Sequence, residues 1–304
     1  MLRVIFLGTG GSVPSPNRGM PALMIVREGE RMLFDCGEGT QRQMMCCRSG
    51  FMDVGSIFLT HFHADHTLGI PGLIQTMGFQ GRTEPLHIYG PKFVREYCDI
   101  LNSLGYLKPG FEVVAHELKH GDVVERNGYK IEAFRTFHSV PGLGYALIED
   151  ARLGRFNKEK ALELGVPEGP LFGRLHRGED VTVNGKVIKS SDVVGEPRPG
   201  RRIVYTGDTT PSQAFLSVLG GADLWISEAT FADEAADKAA ETLHSSSGDV
   251  ARMAAMAAVQ RLILTHISSR YSEDIKPLLE DARKHFPDVA VAEDFMEVEV
   301  PLKE

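Results

Sequence analysis

Three histidines and one aspartate fall within the six residues HFHADH at 61–66, directly after the apolar run SIFLT at 56–60. Imidazole and carboxylate groups are ligands that zinc and similar divalent metals prefer. Side chains alternate along an extended turn, so His61 and His63 are expected to serve one metal, and Asp65 and His66 a second one beside it. The alternative is a functionless surface cluster, but such a cluster has no packing reason to follow a buried strand. The spacing therefore predicts a metal site at a strand end.

Short apolar runs bounded by Gly, Pro or Asp recur along the chain, and their composition is typical of buried strands. The runs are RVIFLG (3–8), ALMIV (22–26), RMLFD (31–35), SIFLT (56–60), LHIYG (86–90), RIVYTGD (202–208), DLWISE (223–228) and RLILTH (261–266). Helix-like patterns occupy 41–48, 91–105 and 245–260, the last capped by Ser246 or Ser247. Several strands, with turns at 120–122 and 127–128, are expected between 112 and 150. This mixture predicts a layered α/β or α+β domain.

Three further candidate ligands follow strand-like runs elsewhere in the chain. His138 comes after KIEAFRTF, Asp208 after RIVYTG and His266 after RLILT. Strand ends and the loops after them are where rigid scaffolds usually present reactive groups. Taken alone, a histidine is more often a satisfied core or surface residue than a ligand. Together with HFHADH, these three residues become the expected remaining ligands.

Composition excludes several classes of protein. The 304 residues are 42% hydrophobic and 24% charged, which argues against wholesale disorder and against a coiled coil. No apolar run approaches the roughly 18 residues of a transmembrane helix, and the N-terminus lacks the shape of a signal peptide. The four cysteines form no CxxC pair, so reduced thiols in a cytoplasmic protein are expected. The sequence contains neither a GxSxG nucleophile motif nor a P-loop.

Charge is distributed unevenly along the chain. The net charge of −8 by itself argues against nucleic-acid binding. Residues 151–202 nevertheless carry 11 Lys+Arg and 7 Asp+Glu, a local balance of +4, so the other 252 residues carry −12. Within this region, 151–190 is interpreted as an insertion with a short helix at 157–164 and a stiff turn at Pro167 and Gly169-Pro170. It is a candidate polyanion contact; a solvated surface insertion is the alternative that charge alone favours.

The combination of HxHxDH, a later histidine, GDT at 207–209 and a final TH at 265–266 resembles the metallo-β-lactamase superfamily. Further stretches resemble the ribonuclease Z family, endonucleases that remove 3′ trailers from precursor tRNA: LGTG at 7–10 with Pro14 and Arg18, FDCGEGTQ at 34–41, SEATF at 227–231 and HS at 244–245. The match runs through essentially the whole chain, which makes 1–304 one domain. The resemblance implies an α/β fold of four αββα layers with a binuclear metal site at one edge. It also implies that 151–190 is the family's inserted flexible arm, or exosite, which grips the tRNA body.

The resemblance implies a role for each candidate residue. One zinc would be held by His61, His63 and His138, and a second by Asp65, His66 and His266, with Asp208 bridging, which gives two Zn²⁺ per subunit. Asp65 would also act as general base, and His244 would protonate the leaving 3′-oxygen with Glu228 as its orienting partner. The arm would contact precursor tRNA through the Gly169-Pro170 turn and through Arg152, Arg155, Lys158, Arg174 and Arg177.

A homodimeric, cytoplasmic tRNA 3′-endonuclease without membrane contact is therefore expected, whereas spacing alone supports only metal-assisted hydrolysis. Two alternatives stay open. A phosphodiesterase on the same scaffold that acts on small molecules such as cyclic nucleotides suits the acidic body better. A metal- and RNA-binding protein without catalysis is the other, and Asp65 and His244 argue against it because binding alone needs no general acid or base.

Overall fold

The apolar runs and the segments between them form eighteen strands and eleven α-helices in residues 1–104 and 109–303, the part of the chain that this computed structural model describes. The strands are β1 (Leu2–Gly8), β2 (Gly10–Gly11), β3 (Ala22–Arg27), β4 (Glu30–Phe34), β5 (Val54–Phe58), β6 (Leu86–Gly90), β7 (Val113–Glu117), β8 (Val123–Arg126), β9 (Tyr129–Arg135), β10 (Leu143–Glu149), β11 (Val181–Val183), β12 (Lys186–Ile188), β13 (Arg202–Tyr205), β14 (Leu224–Glu228), β15 (Leu262–Thr265), β16 (Ile267–Ser268), β17 (Val289–Val291) and β18 (Glu297–Glu299). The helices are α1 (Thr40–Cys46), α2 (Ala64–Thr67), α3 (Gly69–Phe79), α4 (Val94–Ser103), α5 (Lys158–Glu163), α6 (Pro170–His176), α7 (Ser190–Val193), α8 (Leu216–Leu219), α9 (Ala236–Thr242), α10 (Ser247–Met256) and α11 (Lys276–Arg283).

Two seven-stranded sheets contain most of the strands. The first has the order β18-β1-β3-β4-β5-β6-β7, and the second has the order β17-β15-β14-β13-β10-β9-β8. Strands β4 to β7 run parallel, as do β13, β14, β15 and β17. Because parallel strands have their carboxyl ends at the same edge of a sheet, each sheet presents the loops that follow these strands along one edge.

The core lies between the two sheets. Phe34 and Phe58 of the first sheet stack with ring centroids 5.1 Å apart, and Tyr145 of the second sheet meets Phe58 edge-on at 5.4 Å. Helices α1, α3 and α4 cover the outer face of the first sheet, and α8, α10 and α11 cover that of the second. The predicted four-layer αββα sandwich is confirmed. Burial of both faces of each sheet explains why the strands have continuous apolar sequences rather than alternating ones.

All eight predicted strands are present. The sixth ends at Tyr205, earlier than predicted, because Gly207 has a φ of 61° that turns the chain toward Asp208. The three predicted helices correspond to α1, α4 and α10, and residue 105 at the end of the second prediction lies outside the described residues. Ser246 caps α10, since its side chain accepts a hydrogen bond from the backbone N–H of Asp249. All four cysteines are free thiols, as expected.

The inserted segment forms a small unit with its own core. Helices α5, α6 and α7 and the β11–β12 hairpin surround buried side chains that include Val166, Leu175 and Val181. Gly169, with a φ of 142°, precedes α6 and Pro170 begins it, so the predicted turn is the start of a helix. Isolated bridges join Arg152 to Arg198 and residue 156 to residue 194. These bridges form a stem that continues beyond 190, so the arm below denotes residues 152–198.

A buried ion-pair network holds the base of the arm. Glu149 ends β10 just before the arm, and it accepts hydrogen bonds from Arg201 Nε (2.7 Å) and Nη2 (2.8 Å) just after the arm. Arg27 Nε, at the end of β3 in the other sheet, donates to the same carboxylate at 2.9 Å. Burial raises the pKa of Glu149, but Arg201 and Arg27 outweigh it and lower the pKa to about 2. The network therefore ties both ends of the arm to the two sheets.

Helices with the length and apolar character needed to cross a lipid bilayer are absent from residues 1–104 and 109–303.

Candidate metal centre

The seven candidate ligands lie together at the sandwich edge formed by the carboxyl ends of the parallel strands. The chain order explains this convergence: His61 and His63 follow β5, Asp65 and His66 lie in α2, His138 follows β9, Asp208 follows β13 and His266 follows β15. The structure thus brings together every residue that the sequence analysis assigned to metal binding.

The spacing of HFHADH suggested an extended turn over the whole segment, but the structure shows otherwise. Residues 64–67 form α2, and the carbonyl oxygen of His63 accepts hydrogen bonds from His66 N (3.1 Å) and Thr67 Oγ1 (3.1 Å). This helical turn separates Asp65 and His66 from the two preceding histidines. The division into two pairs therefore comes from the start of a helix and not from alternation along a strand.

Four donor groups surround the first candidate metal position. His63 Nδ1 lies 3.0 Å from His61 Nε2 and 3.3 Å from His138 Nε2. Asp208 Oδ2 lies 3.8 Å from His61 Nε2 and 4.0 Å from His138 Nε2. One atom from each of these four residues lies within 4.8 Å of the others. Three imidazole nitrogens that face one another suit a shared cation better than mutual hydrogen bonds, which need alternating donors and acceptors.

Asp65, His66 and His266 surround the second position, also within 4.8 Å of one another. Asp65 Oδ2 lies 3.8 Å from His66 Nε2 and 3.5 Å from His266 Nε2. Asp208 Oδ2 lies 3.4 Å and 3.2 Å from the same two nitrogens. Asp208 therefore stands between the two groups, where one carboxylate can reach two cations.

Unpartnered buried atoms test whether a metal fits these residues. His66 Nε2, His266 Nε2 and Asp208 Oδ1 are buried and have no hydrogen-bond partner among the described residues. A buried polar atom without a partner is costly, and such atoms are rare in folded proteins. Three of the eight such side-chain atoms in the described residues thus lie together in the two donor groups, and imidazole nitrogens and carboxylate oxygens are the donors that zinc accepts. The donor set therefore fits a pair of divalent cations.

Charges within the cluster are strongly coupled. Burial raises the pKa of Asp208, but the combined effect of His266 and His66 is larger and opposite. The pKa of this carboxyl therefore lies well below its usual range. His266 and His66 likewise overcome burial and lower the pKa of Asp65. Burial, followed by His66, lowers the pKa of His61. Ionised carboxylates and a neutral His61 are the protonation states that metal binding requires. Burial lowers the pKa of His66, but Asp208 and Asp35 outweigh it and raise this pKa, so a bound cation would have to displace the proton of His66.

Asp35 supports the ligands from behind and was not singled out by the sequence analysis as a functional residue. Its buried carboxylate accepts hydrogen bonds from His66 Nδ1 (2.8 Å), Thr60 N (2.8 Å), Thr60 Oγ1 (2.9 Å) and the Tyr205 hydroxyl (2.9 Å). Because Nδ1 of His66 is engaged, its Nε2 is the nitrogen that faces the donor group, an arrangement common behind metal-binding histidines. Asp35 directly follows the buried strand β4, and Asp208 follows β13 after two further residues. This position at a strand end could have identified Asp35 as a functional residue.

Glu228, at the end of β14, connects two histidines of the site. Its Oε1 accepts a hydrogen bond from His244 Nδ1 at 2.8 Å, and its Oε2 accepts one from Thr230 Oγ1 at 2.7 Å. His266 Nδ1 lies 2.9 Å from the same hydroxyl, so it donates to Thr230 while Thr230 donates to Glu228. Burial lowers the pKa of His244, but Glu228 outweighs it and raises the pKa to about 9. Glu228 thus pairs with His244 as expected, whereas the sequence analysis missed Thr230 within its SEATF stretch.

The loop at 9–20 closes over the second donor group. Ser12 donates its backbone N–H to Asp65 Oδ2 at 2.9 Å, and any Cβ at Gly11 would collide with the His266 ring. Asp294 holds both ends of this loop by accepting hydrogen bonds from backbone N–H groups of residues 9 (3.0 Å) and 19 (2.7 Å). Residues distant in sequence therefore position the loop over Asp65.

Comparisons with known proteins give the family. Residues 2–154 match the family model described as Anti-Pycsar protein Apyc1, and residues 183–267 match the β-lactamase superfamily domain. Proteins named Ribonuclease Z from Methanosarcina acetivorans and Methanosarcina mazei are 57% and 55% identical over 303 residues, which cover 100% of this chain and 99% of each relative. The chain belongs to the ribonuclease Z family. The resemblance carried by the motifs is thereby confirmed over the full length of the chain.

Solved structures agree with this assignment. Human tRNase Z, short form, has a TM-score of 0.72 and 29% identity, and the match covers 99% of this ribonuclease Z family chain and 100% of the human one. The metallo-β-lactamase fold protein YhfI from Bacillus subtilis has a TM-score of 0.70 at 19% identity and covers 98% of both chains, which supports the fold alone.

The structure does not bring the predicted arm residues to the metal centre. Strand β10 begins beside the centre, where Leu143 N donates to Thr60 O at 2.8 Å, and its length puts the stem about 20 Å away. On the arm, exposed ion pairs join Lys158 to Glu168 (2.8 Å), Arg174 to Glu179 (2.8 Å) and Arg177 to Glu179 (3.7 Å). Arg155 lies beside the stem, where Arg152 Nη2 donates to the carbonyl oxygen of Lys303 at 2.6 Å.

Proposed function

We propose that this member of the ribonuclease Z family is a zinc-dependent endoribonuclease that removes 3′ trailers from precursor tRNA. One observation carries the proposal. Imidazole and carboxylate groups from the four segments that follow β5, β9, β13 and β15 converge at one edge, with three of their buried atoms unpartnered, in a chain 57% identical to a Ribonuclease Z. Cleavage would leave a 3′-hydroxyl on the tRNA and a 5′-phosphate on the trailer.

The two donor groups support two zinc ions per subunit. His61, His63 and His138 would hold one ion, Asp65, His66 and His266 the other, and Asp208 would contribute to both. A pair of divalent ions supplies hydroxide at neutral pH and neutralises the charge that develops on a phosphodiester. The protein's own contribution is to hold seven donors at fixed distances before the substrate arrives, since their strand-end loops belong to a rigid sandwich.

Asp65 is proposed as the general base. Its Oδ2 is held by the Ser12 N–H at 2.9 Å, and the low pKa of this carboxyl keeps it ionised, hence able to accept a proton. Because the nearby histidines stabilise the charged form, Asp65 passes the proton on rather than retaining it. The loop at 9–20 therefore determines where the proton is accepted.

His244 is proposed as the general acid. Its Nδ1 is engaged by Glu228 at 2.8 Å, so Nε2 is the nitrogen that gives a proton to the leaving 3′-oxygen. With its pKa raised to about 9, the imidazole is protonated at neutral pH. Glu228 therefore has two functions: it orients the ring and it keeps the proton available.

We also propose how the protein binds the tRNA body, how it assembles and where in the cell it is located. The arm would grip the tRNA body with its basic residues and the segment at Gly169-Pro170. Exposed ion pairs such as Arg174–Glu179 are weak, so a phosphate can replace the glutamate at little cost. A stem about 20 Å from the metal centre suits a homodimer in which one subunit's arm holds RNA cut by the other. We further propose a cytoplasmic location.

The direct test incubates the zinc-loaded protein with a 3′-extended tRNA transcript and maps both product ends. We expect one cut at the 3′ end of the acceptor stem, and metal analysis should find two zinc ions per subunit. His63→Ala and Asp208→Ala should abolish cleavage and lower the zinc content. His285→Ala is the matched control, because His285 is exposed and lies outside the metal centre.

Two results would contradict the proposal in different ways. Turnover of cyclic AMP without cleavage of any precursor tRNA would assign the site to small phosphodiesters. Zinc binding without turnover of any RNA or ester would leave a binding protein without catalysis.

A further inference from the structure

Two neighbouring cavities lead away from the metal centre. The first, about 590 Å³, has His138 in its wall and lies between the loops that follow β6, β7 and β9. The second, about 290 Å³, lies against β9 and residues 213–218. The two cavities share His120, Arg135 and Phe137. We call them together the basic groove.

The basic groove carries positive charge on an otherwise acidic protein. Lys92, Lys119 and Arg135 line it, and all three are exposed. Within residues 1–104 and 109–303, no carboxylate oxygen lies within 4.0 Å of the charged nitrogens of these three side chains, although Asp122 accepts a hydrogen bond from the backbone N–H of Lys119 at 2.8 Å. Glu132, the acidic residue in the lining, lies 3.6 Å from Lys130 and is thus partly neutralised. Because the chain has a net charge of −8, unneutralised cations beside the metal centre indicate a site for a polyanion.

The groove also has one aromatic side chain, Phe137, that is only partly buried. Phe137 lines both cavities, and the guanidinium carbon of Arg135 lies 5.5 Å from the centre of its ring. Cations that follow a backbone, together with aromatic rings for stacking, are how proteins bind single-stranded nucleic acid without reading its sequence. A paired RNA stem is much wider than cavities of this volume, whereas one unpaired strand fits.

We propose that the basic groove binds the backbone of the single-stranded 3′ trailer where it leaves the metal centre. This inference rests on the proposed cleavage of precursor tRNA, which leaves a paired body on one side of the scissile phosphate and an unpaired trailer on the other. The stem of the arm is at the opposite end of β10, about 20 Å from the metal centre, so contacts to the body and contacts to the trailer are separated in space.

The test compares precursor tRNAs with a trailer of one nucleotide and a trailer of about ten nucleotides, which spans a typical single-strand site. In Lys119→Ala/Arg135→Ala, KM for the long-trailer substrate should rise roughly tenfold more than KM for the short-trailer substrate. The slope of log(kcat/KM) against log[salt] for the long trailer should become shallower by about 1.4, or about 0.7 for each lost cation. Arg283→Ala, which removes an exposed arginine on α11, should keep the wild-type ratio of KM values.

A charge-preserving variant and a binding assay complete the test. Lys119→Arg/Arg135→Lys should retain the preference for long trailers, and a fluorescent 5′-phosphorylated RNA of trailer sequence should bind the wild type more tightly than the double alanine variant. An equal rise of KM for both substrates would assign the groove to the tRNA body and overturn the inference. Unchanged KM values and salt slopes would also overturn it. If the wild type cleaves no precursor tRNA, the proposed function fails, and the RNA-binding assay still decides whether the groove binds single strands.

Discussion

Replacing Asp35 with Asn changes one buried oxygen to an amide behind the metal centre. Asp35 has a φ of 55°, a left-handed conformation that Asn adopts readily, so the backbone should be retained. The Asn oxygen can still accept the Thr60 N–H, but its amide nitrogen then faces His66 Nδ1 and the Tyr205 hydroxyl. His66 would shift its proton to Nε2 to accept from that amide, and Nε2 is the nitrogen needed by the metal.

The magnitude follows from the interaction lost. A hydrogen bond to a charged group contributes about 1.5–3 kcal/mol. Loss of such a supporting partner usually lowers metal affinity by about 10- to 100-fold. These figures agree, since about 1.4 kcal/mol corresponds to a tenfold change in an equilibrium constant. Asp35 bonds His66 directly and reaches His61 of the first donor group only through the Thr60 hydroxyl, which the remaining Asn oxygen can still hold. The loss should therefore fall mainly on one of two bound zinc ions.

Zinc affinity can be measured by competition with a chromophoric chelator, starting from metal-free protein. Asp35→Asn should keep one tight zinc and weaken the other by about 10- to 100-fold. Asp223→Asn is the matched control, because Asp223 is also buried but accepts from Arg202 N (2.8 Å) and Lys303 Nζ (3.0 Å), outside the metal centre. Two zinc affinities within about twofold of wild type in Asp35→Asn would refute the role assigned to this carboxylate.

Three further predictions concern the proton donor, the base of the arm and the arm itself. Glu228→Gln removes the charge that raises the pKa of His244 to about 9, so the alkaline limb of kcat/KM should move to lower pH; an unmoved limb would argue against His244 as the acid. Glu149→Gln leaves the buried Arg201 guanidinium without its carboxylate and leaves Arg27 with only the exposed Glu28, so it should lower the free energy of unfolding by about 3 kcal/mol at neutral pH. The pKa of Glu149 is lowered from 4.5 to about 2, so this contribution is present above pH 4.5 and lost as pH falls toward 2; urea unfolding should show the difference between wild type and variant shrinking over that range. Replacing residues 153–197 with Asn-Gly closes a β10–β13 hairpin through the stem, and it should abolish precursor cleavage while hydrolysis of bis-p-nitrophenyl phosphate persists; equal loss of both would argue against the arm as an RNA clamp.

The sandwich could be predicted from sequence because both faces of its sheets are buried. Strands such as β5 and β15 are short, apolar and ended by polar residues, which distinguishes them from amphipathic helices. The order of the strands in the sheets could not be predicted as readily, because β10 and β13 pair although the whole arm separates them in the chain. The arm's own core was also not predicted, since its apolar residues are few and spread over short elements.

The residues of the two donor groups could be located from the sequence because each lies within three residues of a strand end or in one dense motif. The sequence could not show how His61 and His63 are separated from Asp65 and His66, since that depends on hydrogen bonds that close α2 around His63 O. It also could not show which nitrogen of each ring is available.

Local sequence alone determined the residue types at the metal centre and the strand ends that carry them, because strand propensity and ligand chemistry are both properties of short segments. Tertiary structure decided which atoms face one another in the two donor groups. Asp35, which follows β4, holds His66. Glu228, at the end of β14, holds His244, and Thr230, two residues later, holds His266. These hydrogen bonds join residues 31, 36 and 16 positions apart in the chain, so their partners are chosen by which strands lie side by side within each sheet and not by spacing in the sequence.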